Sequence, residues 1–198
     1  IPARLGDGSR YGVSIHYSDE GPEPLETGGG IFRALPWLGP EPFVVVNGDT
    51  WTDYDFSRLP ALDSAALAAL VLVINPPQHP RGDFALARRE AGGSDVIAEP
   101  AGSAVRHTFS GIGLYRPAFF QGCCDGRFPM LPLFRRASAA GRLRGQLYEG
   151  QWHDGLHRLP VLGGSAAVLE CERLSQQTAG DHRLYIGRVL KMQHQTVP

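Results

Sequence analysis

The chain has 198 residues, 42% of them hydrophobic and 20% charged, with a net charge of −1. That length can enclose one domain with a sizeable core. The balance lacks the basic surplus that nucleic acid or an anionic membrane attracts, and no apolar run approaches the roughly 20 residues of a membrane span.

In chain order, Val13-Ser14-Ile15-His16-Tyr17 alternates and predicts a strand. Residues 18–24 read as a polar loop and 28–38 as a short helix. Phe43-Val44-Val45-Val46 is an unbroken apolar run ending at Asn47-Gly48-Asp49, the pattern of a strand buried on both faces. Residues 56–62 predict a short helix. Residues 67–74 predict a second buried strand, ended by Asn75-Pro76-Pro77. Residues 79–84 form a loop, 109–115 a strand interrupted by Gly111 and Gly113, 131–140 a helix stopped by Gly141, and 143–152 an extended segment. Strands alternating with helical patterns indicate α/β. Past Asp154, residues 166–174 and 183–192 predict two strands with no helix between them, hence an antiparallel hairpin. Cys123, Cys124 and Cys171 do not form a disulfide framework, which suits a reducing cytoplasm.

Three stretches carry a resemblance. Leu25-Glu26-Thr27-Gly28-Gly29-Gly30, then Val46-Asn47-Gly48-Asp49, then Trp51-Thr52-Asp53-Tyr54-Asp55 resemble, in order and spacing, the sugar-1-phosphate nucleotidylyltransferases. The likeness is greatest to the N-acetylmuramate-1-phosphate uridylyltransferases of bacterial cell-wall recycling, and it runs from Ile1 to about Leu159. It implies a Rossmann-like, mostly parallel sheet, and transfer of UMP from UTP to a sugar 1-phosphate, N-acetylmuramate 1-phosphate, with release of pyrophosphate. It implies Mg²⁺ held by two catalytic carboxylates, Asp49 and the Asp of Trp152-His153-Asp154. It assigns Glu26, Thr27, Gly28, Gly29, Asn47 and Gly48 to the nucleotide. Asn75, Gly82, Asp83 and Gly113 are assigned to the sugar. The family continues Val-Gly-Thr after its second Asp, where this chain has Gly155-Leu156-His157. It also opens with a Gly-rich loop bearing Arg and Pro-Lys, and Ile1 has no initiator Met. The chain therefore reads as amino-terminally truncated by a whole βαβ unit, with impaired activity and with Val44–Val46 and residues 70–74 lacking packing partners.

Each assignment has a plainer reading beside it. Mg²⁺ takes hard oxygen ligands, one or two carboxylates with phosphates and water, and Asp49 at a strand end is placed for that. Asn-Gly-Asp is also ordinary turn chemistry. Thr27 can cap a helix as well as meet a nucleotide. Asn75, Gly82 and Asp83 can hydrogen-bond a sugar or form an ordinary polar loop. Gly113 can admit a sugar against the backbone or mark a bulge. No Walker loop, His-Glu-x-x-His helix or Gly-x-Ser-x-Gly elbow occurs.

The tail resembles another family. Pro160 to Cys171, followed by Gly180-Asp181-His182-Arg183-Leu184-Tyr185-Ile186-Gly187-Arg188-Val189, is similar to the flavin reductase-like domain, a split β-barrel that binds FMN. The expected division is residues 1–157 and 158–198. The alternatives to the transferase are an FMN-dependent reductase component and a non-catalytic chimeric fragment.

Overall fold

The computed structural model describes residues 2–154, 167–179 and 182–194. In chain order the elements are α1 (Pro2–Leu5), α2 (Glu26–Leu38), β1 (Phe43–Val46), β2 (Thr50–Thr52), β3 (Ala68–Val73), β4 (Ala85–Arg88), β5 (Ser94–Ile97), β6 (Thr108–Tyr115), α3 (Leu131–Ala139), β7 (Leu143–Tyr148), β8 (Trp152–Asp154), β9 (Ala167–Ala179) and β10 (His182–His194). The chain divides into two units, residues 1–48 with 52–152, and residues 49–51 with 153–198.

The first unit is built on a six-stranded sheet of order β1-β6-β3-β7-β5-β4. The expected α/β class holds, but the sheet is mixed rather than mostly parallel. Only β3 and β7 run parallel. The pairs β1–β6, β3–β6, β5–β7 and β4–β5 are antiparallel. The reason is β6, which runs back between β1 and β3 and so separates two strands of like direction.

β3 is buried throughout. Leu70 and Leu72 enter a core with Phe43, Tyr115, Phe119, Phe120 and Phe134, whereas Val71 packs with Tyr54 and Ile112 in a second cluster. Two-sided burial is why its sequence lacks alternation. Each such aliphatic side chain contributes about 1.5–3 kcal/mol by leaving water. β1 departs from the expected burial on both faces, and the exposure of Val44 and Val46 agrees instead with the expected lack of packing there. Phe43 is buried, but Val44 and Val46, two apart and so on one face of β1, are each 42% exposed. The lack of packing expected for residues 70–74, by contrast, is corrected. Leu70 to Val73 are buried and only Ile74, at 60%, is exposed.

A charged network closes the far side of the sheet. Arg144 is 5% exposed. Its Nε and Nη2 donate to Asp63 at 2.9 and 3.1 Å, and its Nη1 donates to Asp95 at 2.8 Å. Arg89 also bonds Asp63, at 2.9 Å. A buried guanidinium is tolerated only when paired in this way.

Several local expectations change. Residues 13–17 are not a strand, since no neighbour among the described residues supplies a ladder. Ile15 N–H bonds Asp7 O, and the Tyr17 hydroxyl bonds Gly6 O. The helix expected over 56–62 is a 3-10 turn, Phe56–Arg58, with Asp55 accepting from Ser57 N–H. The hairpin β4–β5 was not anticipated. Gly92 and Gly93, at φ +87° and +75°, make its turn. The extended segment 143–152 divides between β7 and β8.

β2 and β8 form a two-stranded ribbon, and the second unit contains the pair β9–β10. β9 and β10 are antiparallel, with His182 opposite Ala179 and register shifts at Ile186/Gly187 and Val189/Lys191. The expected terminal hairpin is present and longer than its sequence suggests. The expected boundary between residues 157 and 158 lies outside the described residues.

Candidate functional site

α2 and β1 frame a cleft of about 450 Å³ whose lining includes Glu26, Thr27, Asn47 and Gly48, together with Ile31 and Val46. Four of the six residues expected at the nucleotide thus meet in one place. The other two, Gly28 and Gly29, are buried. A Cβ on Gly28 would lie 2.5 Å from the Phe128 ring, and one on Gly29 would strike the Gly126 carbonyl. Gly29 N–H donates to Phe128 O at 3.2 Å. These two glycines let α2 press against residues 126–128. Thr27 is not the helix cap. Leu25 occupies that position without a side-chain bond, and its N–H donates to the Glu20 carboxylate at 2.8 Å. Glu26 adopts φ +60°, a left-handed conformation rare for a side-chain-bearing residue, and accepts from Arg127 Nε at 2.8 Å.

Asn47 is fixed by β6. Its N–H donates to Gly111 O at 2.9 Å. Gly111 has φ +80°, and a Cβ there would lie 2.8 Å from the Asn47 side chain. The β3–β6 register shifts between Val71 and Leu72, so Ser110 and Gly111 form a bulge.

Three of the four residues expected at the sugar, Asn75, Gly82 and Asp83, gather at the start of β6. Asn75 Nδ2 donates to Pro80 O at 3.2 Å and Arg106 O at 3.0 Å, and Oδ1 accepts from Thr108 Oγ1 at 2.9 Å. Asp83 accepts from His79 Nε2 at 3.0 Å and from Phe109 N–H at 2.8 Å. Gly82 has φ +59°, with Asn75 Oδ1 2.5 Å from its Cβ position. Asn75 and Asp83 thus hold the loop in shape. Gly113 is buried beneath the Tyr115 ring.

Asp49 precedes β2 and Asp154 ends β8. Thr52 Oγ1 and Asp53 N–H both donate to Gln151 O, at 2.9 and 3.3 Å, which makes the ribbon antiparallel. The start of β2 then lies against the end of β8, so Asp49 and Asp154 share one end of it. The Trp51 and His153 rings pack at 5.7 Å.

Sequence reasoning passed over Asp53. It accepts from the Tyr148 hydroxyl and from Gln151 N–H. The Tyr148 bond is the main influence holding the Asp53 carboxyl below the usual range, and the same bond pushes Tyr148 up to about 12. The signal was Asp53-Tyr54, inside a motif already singled out. Gly111 was read only as an interruption of its strand, because a glycine in a strand does not announce which partner it faces.

Comparison with known proteins follows the same lines. The N-acetylmuramate alpha-1-phosphate uridylyltransferase of Neisseria meningitidis is 44% identical over 164 residues, covering 78% of this chain and 67% of that protein. The protein of the same name from Caulobacter vibrioides is 32% identical over 147 residues, covering 70% and 59%. The chain spans about two thirds or less of these relatives' length. Among solved structures, a putative glucose-1-phosphate thymidylyltransferase from Bacillus anthracis has a TM-score of 0.58 at 18% identity, over 79% of this chain and 66% of that one. HddC from Yersinia pseudotuberculosis has a TM-score of 0.50 at 19% identity, over 69% and 60%. At these identities the structural likeness is one of fold. Residues 129–197 match the flavin reductase like domain, a stretch that takes in α3, β7 and β8 as well as the terminal hairpin.

The nucleotidyltransferase fold and the order of the motifs define the class. The chain belongs to the sugar-1-phosphate nucleotidylyltransferase family, alongside the N-acetylmuramate alpha-1-phosphate uridylyltransferases.

Among the described residues, no helix is long and apolar enough to cross a membrane.

Proposed function

We propose that the chain transfers a uridylyl group from UTP to N-acetylmuramate 1-phosphate, releasing pyrophosphate, as the names of its relatives suggest. One observation carries the reading. Asn47, expected at the nucleotide, and Asn75, expected at the sugar, are both anchored to the first half of β6, through Gly111 and Thr108. β6 alone separates β1 from β3, so these residues stand about two strand spacings, roughly 10 Å, apart across the sheet, and are offset along β6 by the residues between Thr108 and Gly111. That spacing suits two substrates that are to be joined through phosphates.

In this reading the sugar phosphate oxygen attacks the α-phosphorus of UTP, and the bond to the pyrophosphate oxygen breaks. The protein's part is to position two anions and to balance their charge. Asp49 and Asp154 would hold Mg²⁺. They are hard oxygen donors at one end of one ribbon. Among the described residues no group of three or more His, Cys, Asp or Glu side chains forms a metal cage, which suits an ion whose remaining ligands are phosphates and water. The ion would supply neutralisation of phosphate charge. Thr27 and Asn47 offer hydrogen bonds to the nucleotide within the α2–β1 cleft.

Pyrophosphate release assayed with UTP and N-acetylmuramate 1-phosphate tests the proposal. Release requiring both substrates supports it, and none above a protein-free blank overturns it.

The match over residues 129–197 favours a second reading, an FMN-binding reductase component. Flavin absorbance at stoichiometric level in the purified protein would favour this reading over the first. Both readings fit a cytoplasmic setting.

A further inference from the structure

A second cleft, of about 510 Å³, lies along the 75–83 loop and is lined by His79, Arg81, Gly82, Ser103, Ala104 and Arg106. Its lining contains two guanidinium groups and an imidazole but no carboxylate. The nearby acid, Asp83, has both oxygens engaged by His79 and Phe109 N–H. Arg106 gives one N–H, at 3.4 Å, to the main-chain carbonyl of Asp83. Among the described residues Arg81 has no hydrogen bond or ion pair. Elsewhere Arg33, Arg89, Arg127, Arg135 and Arg144 are each matched with an Asp or Glu. Two unmatched like charges lining one cleft repel each other until an anion enters. The cleft is also braced for a ligand. Asn75 Nδ2 bonds the carbonyls of both Pro80 and Arg106, tying its two walls together, and bracing lowers the cost of ordering on binding.

We propose that this cleft is a carboxylate site, and that Arg81 and Arg106, with His79 and Ser103, take the acid group carried on the sugar substrate. The inference rests on the reading above that the sugar is a muramate, which is N-acetylglucosamine bearing a lactyl carboxylate. A guanidinium fork matches a carboxylate with two parallel N–H donors, and such charge-assisted bonds are the strong ones. A neutral sugar of the same ring offers the arginines no anion.

The test uses the whole chain and two free sugars without phosphate, N-acetylmuramate and N-acetylglucosamine. Phenylglyoxal labels accessible arginines, and mass spectrometry reads which ones. N-acetylmuramate is expected to protect Arg81 and Arg106, and N-acetylglucosamine to leave them labelled. Equal protection by both sugars, or by neither, overturns the proposal. The readout needs no turnover. Protection without pyrophosphate release would sink the transferase reading and keep the carboxylate site, and release without protection would do the reverse. As a second arm, calorimetry on Arg81→Gln, an exposed position, is expected to show N-acetylmuramate 1-phosphate bound about tenfold or more weakly. N-acetylglucosamine 1-phosphate is expected to be unaffected. Loss of both ligands alike would assign the arginine to the shared phosphate and overturn the carboxylate role.

Discussion

The main-chain N–H of Asn47 donates to Gly111 O at 2.9 Å, and the Asn47 side chain lies where a Cβ on Gly111 would have to go. The end of β1 is therefore set by a glycine on the neighbouring strand. Gly111 has a left-handed φ of +80°, so Gly111→Ala combines backbone strain with a collision. It is expected to cost about 1–3 kcal/mol. Urea denaturation measures this, and an unchanged midpoint would remove Gly111 from the account.

Two glycines near the α2–β1 cleft should respond in opposite ways. A methyl on Gly29 would meet the backbone carbonyl of Gly126, whereas one on Gly48 meets nothing within 4 Å and φ there is not left-handed. Gly29→Ala is expected to lose about 1–3 kcal/mol as an overpacked contact. Gly48→Ala should stay within about 0.5 kcal/mol of wild type. Paired thermal melts decide it, and equal losses would mean that α2 does not dock on residues 126–128 as described.

Acid should attack the Arg144 network through Asp63. Its carboxyl lies well below the usual range, chiefly because of the hydrogen bond from Arg144, with Arg89 adding to it against the opposing effect of burial. A folded pKa below the unfolded value of about 3.9 gives stability that is present above that pH and is lost as pH falls toward the folded value. The melting temperature of wild type should therefore drop below about pH 4, and that drop should be shallower in Asp63→Asn. Identical slopes for the two proteins would show that Asp63 is not the responsible group.

Tyr148 offers a spectroscopic check. Its hydroxyl is pushed up to about 12, first by its bond to Asp53. The phenolate difference spectrum between wild type and Tyr148→Phe should contain a group ionising near pH 12. A group ionising at the ordinary tyrosine value of 10.0 would break the Asp53–Tyr148 link.

Asp49→Asn tests the metal assignment. It is expected to abolish pyrophosphate release while leaving the melt unchanged, since Asp49 is exposed. Full activity in the variant would remove Asp49 from the proposed ligand pair.

The parts of the fold that could be read in advance were those whose pattern has a local cause. β3 and α3 were visible because burial on two faces, or on one, leaves its mark in the order of residues. Val13 to Tyr17 has the alternation of a strand, yet a strand also needs a partner, and that information lies elsewhere in the chain. β4 and β5 were invisible for the opposite reason, being four residues each and held by pairing more than by composition. The same division runs through the site. Asn47 and Asn75 stood out at the ends of apolar runs. Gly111, Arg81 and Arg106 did not, because their roles depend on which backbone or side chain the fold sets across from them.

The place of β6 between β1 and β3 also sets the order in which the protein can assemble. Among the described residues Phe43 to Val46 pair only with Ile112 to Tyr115, residues made some 70 positions later. At a synthesis rate of about 5–20 residues per second, β1 waits several seconds for its only ladder partner. A loop of that length must close before the pairing rewards it. A ribosome-arrested chain ending before Thr108 should leave β1 open to a protease, and one extended past Tyr148 should protect it.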